Sequence, residues 1–171
     1  EAPRKPTIFV CGDSTANSSG EIQGWGTPIA DYFDLAKVTI ANVAHAKQIL
    51  AETIQYAHDR KAFGQSIGNF QWNKFLIAEL VTKIEVTEAH LDAAVLAHSK
   101  GKLTATDAAK VKYWTSQVQN EVIDHCVQIH GGYGYMNEYR VARAWRDARV
   151  TKIWAGSNEI MKMLIGRDLG L

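Results

Sequence analysis

With 171 residues, 46% of them hydrophobic and 22% charged, the chain has the length of one domain, or of one domain with an appendage, and enough apolar material for a core. Its 19 basic side chains against 18 acidic ones leave a net charge of +1, so no electrostatic footprint for nucleic acid is expected. No run approaches the roughly 20 apolar residues that a membrane helix needs, and residues 1–6 lack the apolar stretch of a secretory leader.

Residues 7–11 form a short apolar, β-branched run that closes on a Gly-Asp-Ser turn, the pattern of a buried strand. Residues 17–26 are a Ser/Gly-rich loop. Thr27 then opens a helix with Pro28 at its first position and Ile29, Tyr32 and Phe33 on one face. Residues 37–41, with Val38, Thr39 and Ile40 in succession, read as a second strand and complete a β-α-β start. From Val43 the period turns helical. One helix is predicted from Val43 to Arg60, carrying Ile49, Leu50, Ile54 and Ala57. A loop with Gly64, Ser66 and Gly68 leads to a long helix from Phe70 to Lys100. Its buried side holds Leu76, Leu80, Ile84, Leu91 and Val95, and Gly101 stops it.

Thr104 and Asp107 fit a helix start. In the helix that follows, Val111, Trp114, Val118, Val122, Cys126 and Ile129 recur at steps of three and four, the clearest stripe in the chain. Lys110-Val111-Lys112 reads as its solvated edge. Gly131, Gly132 and Gly134 end it. A shorter helix follows from Glu138 to Arg149, with Trp145 at core spacing, and Ser157 caps a last one running to about Arg167. The fold class is therefore mainly α: an up-and-down helical bundle over residues 43–171, preceded by a short, incomplete β-α-β fragment over residues 1–42. Cys11 and Cys126 are expected to stay unpaired. Cys126 and His130 share a helix face, but two ligands make no metal site, so none is expected.

Three ordered runs carry a resemblance: Arg60-Lys61-Ala62-Phe63-Gly64, Gln128-Ile129-His130-Gly131-Gly132-Tyr133-Gly134-Tyr135, and Trp154-Ala155-Gly156-Ser157-Asn158-Glu159-Ile160. From about Ala41 to Leu171 the chain resembles the C-terminal helical domain of the FAD-dependent acyl-CoA dehydrogenases. The resemblance implies an FAD site shared with a neighbouring subunit, hence a homo-oligomer, an acyl-CoA substrate for the parent enzyme, and a cytoplasmic location. On it, Arg60 meets the cofactor's pyrophosphate, where a guanidinium can bind bidentately. Phe70 and Gln71 touch FAD at the start of the long helix. Gln128, Ile129, His130, Gly131 and Gly132 approach the adenosine half, and Ser157, Asn158 and Glu159 form a helix N-terminus beside the cofactor. Read singly, Arg60 is a surface charge, the glycines a helix stop and Ser157 an ordinary cap.

The reaction the resemblance implies removes an α-proton from the acyl-CoA while hydride leaves for the flavin. Some members place the glutamate base where this chain has Ala155, which accepts no proton. Others carry it on an upstream helix, and ungapped counting back from Arg60 puts that place on Asp34. The family's N-terminal helical and middle β domains have no counterpart in the sequence, so a complete active site is not expected from this chain alone.

The first forty-six residues carry a different likeness. Thr7 to Thr15, with Gly-Asp-Ser at Gly12-Asp13-Ser14, and then Gly24-Trp25-Gly26, resemble the opening of a GDSL/SGNH esterase of the rhamnogalacturonan acetylesterase type. Ser14 is the nucleophile on that resemblance, but a lone serine needs a base and an oxyanion hole. Neither a Gly-x-Asn-Asp nor an Asp-x-x-His block occurs. The chain thus looks chimeric, with the junction between Ile40 and Ala46. The leading expectation is a dehydrogenase C-terminal bundle that binds FAD. A carbohydrate esterase using Ser14, and a non-catalytic helical interaction module, stand as alternatives.

Overall fold

The computed structural model describes residues 35–171, with side chains from Thr39 onward. Five α-helices make up its frame: α1 (Leu35–Asp59), α2 (Gln71–Ser99), α3 (Ala105–His130), α4 (Arg140–Arg149) and α5 (Asn158–Asp168). A two-stranded hairpin, β1 (Lys61–Ala62) and β2 (Gln65–Ser66), joins α1 to α2 where a plain loop was expected. The predicted strand at residues 7–11, the helix from Thr27, and Cys11, Ser14 and Asp34 lie outside the described residues.

The expected second strand at residues 37–41 is overturned, because those residues belong to α1. Thr39 and Asn42/Val43 are buried, and Ala46, Ile49/Leu50, Thr53 and Ala57 continue the same face at steps of three and four, while Ile40 is exposed. Three β-branched residues in a row carry a strand propensity, yet packing an unbroken helical face outweighs so weak a preference. The proposed division between residues 42 and 43 therefore falls within a continuous helix.

Helix α3 is the axis of the bundle, packing against α1, α2, α4 and α5. The predicted stripe is buried along its length except at Trp114, which is half-buried and packs on the core's edge while its indole N–H donates to Thr87 Oγ1 at 3.1 Å. A second face is buried as well: Ala109, Lys112, Ser116, Gln119, Ile123, Cys126 and His130, again at steps of three and four. Lys112 is 0% exposed, so the reading of residues 110–112 as a solvated edge holds only for Lys110. Trp145 is also corrected, since it stands 41% exposed on α4 and donates to Asp124 Oδ1. Helix α2 buries Leu76, Leu80, Ile84 and Leu91 as predicted but not Val95.

The helix ends follow their local chemistry. At the end of α2, the N–H of Gly101 reaches the His98 carbonyl and that of Lys102 the Ala97 carbonyl, a Schellman closure that needs the positive φ of Gly101, 65°. Thr104 Oγ1 accepts from the Asp107 N–H at 3.1 Å and starts α3. Exposed ion pairs, Lys47–Glu88 and Arg140–Glu52, tie α1 to α2 and α4, where solvent screening leaves them little weight.

Candidate functional site

The C-terminal ends of α1 and α3 meet in a cleft of about 520 Å³ that brings together Arg60, Ile129, His130, Gly131 and Gly132, with Tyr56, Ile67, Tyr133 and Met136 completing its wall. Arg60 follows the last residue of α1, its N–H still bonded to the Tyr56 carbonyl at 2.8 Å. Its guanidinium lies 5.3 Å from the Tyr133 ring centre, a cation–π distance. Among the described residues it forms no salt bridge, so its hydrogen-bond fork is available to an anion.

His130 closes α3 and is fixed on both sides. Its ring stacks on Tyr56 at 4.1 Å and 19°, and Tyr139 meets it edge-on. Its Nδ1 lies 2.8 Å from the Cys126 carbonyl, which requires a proton on that nitrogen and leaves Nε2 as the acceptor of a neutral ring. Burial holds the imidazole pKa below its ordinary value. Cys126, the other half of the pair weighed for a metal, is a buried thiol that burial pushes up to about 11. The turn beyond His130 is set by two glycines with different tasks. Gly131 takes φ 59°, which favours glycine, and Gly134 sits so close to the Val127 carbonyl that a Cβ would stand 2.3 Å from its oxygen. Nothing stands within 4 Å of the Cβ position of Gly132, so the backbone there is open to an approaching ligand.

The hairpin after Arg60 is anchored to α1. Ser66 Oγ donates to the Ala57 carbonyl at 2.6 Å and accepts from the Gly68 N–H, and the Ile67 N–H returns to the Arg60 carbonyl at 2.9 Å. Its two-residue turn, Phe63 and Gly64 with φ 52° and 82°, has the positive pair a tight hairpin demands. Phe63 is 96% exposed at the tip, edge-on to Phe70 at 6.2 Å. Phe70 and the exposed Gln71 stand at the start of α2 and do not line the cleft, nor does the exposed Gln128.

The third predicted group, Ser157-Asn158-Glu159, opens α5 and also lies outside the cleft lining. Ser157 caps the helix, accepting from the Ile160 N–H at 3.4 Å. Glu159 is exposed, its carboxyl held below the usual range by its own backbone N–H and then by the Ser157 hydroxyl. Asn158 points inward instead of outward. Its Oδ1 accepts from Lys112 Nζ and from Ser116 Oγ, each at 3.0 Å, and its Nδ2 donates to the Tyr113 carbonyl at 3.4 Å. No local signal in the sequence singles out Lys112 and Ser116: they fall on a second face of α3 that is buried only because α1 and α5 cover it.

The profile of the acyl-CoA dehydrogenase C-terminal domain matches residues 23–170. The chain is 45% identical over 127 residues to the mitochondrial long-chain specific acyl-CoA dehydrogenase of Sus scrofa, which covers 74% of this chain and 30% of that protein. It is 34% identical over 151 residues to a caffeyl-CoA reductase–Etf complex subunit of Acetobacterium woodii, covering 87% of this chain and 40% of the relative. The fold is similar to that of butyryl-CoA dehydrogenase from Megasphaera elsdenii, with a TM-score of 0.79 at 34% identity over 88% of this chain and 40% of that one. The chain thus spans about a third of the length of these proteins. The profile takes in residues 23–42, which the sequence reading had given to the esterase-like fragment.

Proposed function

The chain belongs to the acyl-CoA dehydrogenase family, as its C-terminal helical domain, and on that premise we propose that the cleft between the ends of α1 and α3 binds the pyrophosphate and adenosine half of FAD. One observation carries the reading: Arg60, His130 and the open backbone of Gly132, far apart in sequence, converge on one cleft around a guanidinium with no acidic partner among the described residues. The guanidinium fork matches two phosphate oxygens, and the Tyr56–His130 stack gives a flat, partly buried wall against which a purine can lie. Phe70, Gln71 and the 157–159 helix start would then serve other parts of a cofactor shared between copies of the chain.

When bound, the flavin supplies the hydride acceptor for α,β-dehydrogenation of an acyl-CoA thioester. The chain's own residues bind and orient it; the turn at Ala155 offers no proton acceptor. Within this proposal the carboxylate in the base register is Asp34, which the family match from residue 23 includes. Neither the esterase reading of Ser14 nor the non-catalytic module gains any support.

The test is thermal. A ligand that binds only the folded state raises the melting temperature by mass action, so saturating FAD should stabilise the chain by about 2–3 kcal/mol at a hundred times its Kd. Arg60→Ala should abolish the shift while leaving the apo transition in place, since Arg60 is exposed. No shift with the unmodified chain would defeat the proposal.

A further inference from the structure

A lysine that is 0% exposed is rarely kept without a task, because its ammonium must be paid for in hydration. Lys112 has no carboxylate within bonding reach among the described residues. Its Nζ donates to the Gly156 carbonyl at 2.5 Å and to Asn158 Oδ1 at 3.0 Å. Ser116 Oγ, one turn further along α3, gives Asn158 Oδ1 a second donor at 3.0 Å. Of the two anchors on the receiving side, Gly156 belongs to the short turn that leads into α5 and Asn158 is the first residue of that helix.

That turn is one the chain would not adopt unaided. Ala155 has φ 52° and Gly156 φ 87°, two successive residues in the left-handed region, the first of them with a side chain. A Cβ on Gly156 would stand 2.5 Å from Met161 Cε, so the turn is also pressed against its own helix. Strained backbone persists where the surroundings over-determine it, and here the over-determining contacts come from Lys112, Ser116 and the Tyr113 carbonyl on α3.

We propose that Lys112 is a positioning residue: from inside the bundle it fixes the Ala155–Gly156 turn and the start of α5, and so sets the height at which Ser157 and Glu159 face the cofactor. The inference rests on the flavin reading for its functional half, since only there does the turn have a ligand to face. Its structural half is independent of it. Burial supports the picture by pushing the ammonium down to about 8, opposed by the Glu159 carboxylate at the same turn. The partners of Lys112 Nζ are two neutral oxygens, the Gly156 carbonyl and Asn158 Oδ1.

The experiment compares the full chain with Lys112→Met, which keeps the length and apolar stem, and with Lys112→Arg, which keeps a cationic donor. Amide exchange resolved by residue and FAD affinity are measured on each. For Lys112→Met the expected result is at least tenfold faster exchange over residues 155–160, unchanged exchange over residues 118–129, and FAD binding at least tenfold weaker. Lys112→Arg should recover most of both losses. A folded Lys112→Met with unchanged exchange over residues 155–160 overturns the positioning role, as does global unfolding of both variants, which would make Lys112 a general core residue. If the unmodified chain binds no FAD, the flavin reading fails while the exchange result still decides whether Lys112 holds the turn. If FAD binds the unmodified chain and Lys112→Met equally well, the flavin reading stands and this inference falls.

Discussion

Helices α2 and α3 are of similar length but are held in opposite ways. Of the 26 residues of α3, 12 are buried, on two faces; of the 29 of α2, only five are, on one. The rest of α2 is open, with Trp72, Phe75, Val86 and Leu96 all more than half exposed. A helix buried on two faces carries the fold and can afford polar residues inside only if each is bonded, as Lys112, Ser116 and Gln119 are. A helix buried on one face contributes a wall. Two of the three candidate site groups accordingly rest on α3, the Arg60 cleft at its C-terminal end and the α5 start against its N-terminal half, while Phe70 and Gln71 open α2.

The sharpest way to break the comparison is to remove apolar volume from each helix in turn. Ile123 on α3 is 0% exposed within the main core cluster, so Ile123→Ala should cost about 3–5 kcal/mol through lost burial and the cavity left behind. Val86 on α2 is 61% exposed, and Val86→Ala should stay within about 0.5 kcal/mol. Chemical denaturation of the two variants checks both values. Equal losses would mean that α2's open face is covered in solution and that the contrast between the helices is false.

An intermediate effect comes from Trp114, where the two helices touch. Its ring is half-buried and its indole N–H bonds Thr87 Oγ1 across the interface. Trp114→Ala should therefore cost about 3 kcal/mol, and Trp114→Phe, which keeps most of the ring but leaves the bond unmade, about 1 kcal/mol. Values for Trp114→Phe above those for Trp114→Ala would show that the polar contact, not packing, joins α2 to α3.

How much of this was legible in the sequence follows the same division. The long helices, the stop at Gly101, the cap at Thr104 and the Val111–Ile129 stripe could be read directly, because each rests on local chemistry or on one apolar period. The second face of α3 could not. Its Lys112, Ser116, Gln119 and His130 look like a solvated side unless one knows that α1 and α5 cover it. The start of α1 failed for a related reason: Val38-Thr39-Ile40 has strand composition, and only the covering partner decides for a helix. Motif likeness pointed to Arg60 and the glycine turn, which share one cleft, while Asn158's inward orientation depended on a partner 46 residues away.

His130 supplies the smallest effect and the one that ties the buried face to pH. Burial lowers its pKa below the ordinary 6.5, opposed by the bond to the Cys126 carbonyl and by Glu52. In the window between that lowered value and 6.5 the unfolded chain binds more protons than the native one, so stability rises with pH there. The contribution is complete above 6.5 and is lost as pH falls through the native value. His130→Phe keeps a ring on Tyr56 and removes the titration. The difference in unfolding free energy between the unmodified chain and His130→Phe should therefore narrow or reverse on going from pH 7 to pH 5, with a slope no steeper than about 1.4 kcal/mol per pH unit, the limit for one proton. A flat difference would mean that the imidazole titrates alike in both states, and that the Tyr56–His130 wall of the cleft is wetter than its geometry implies.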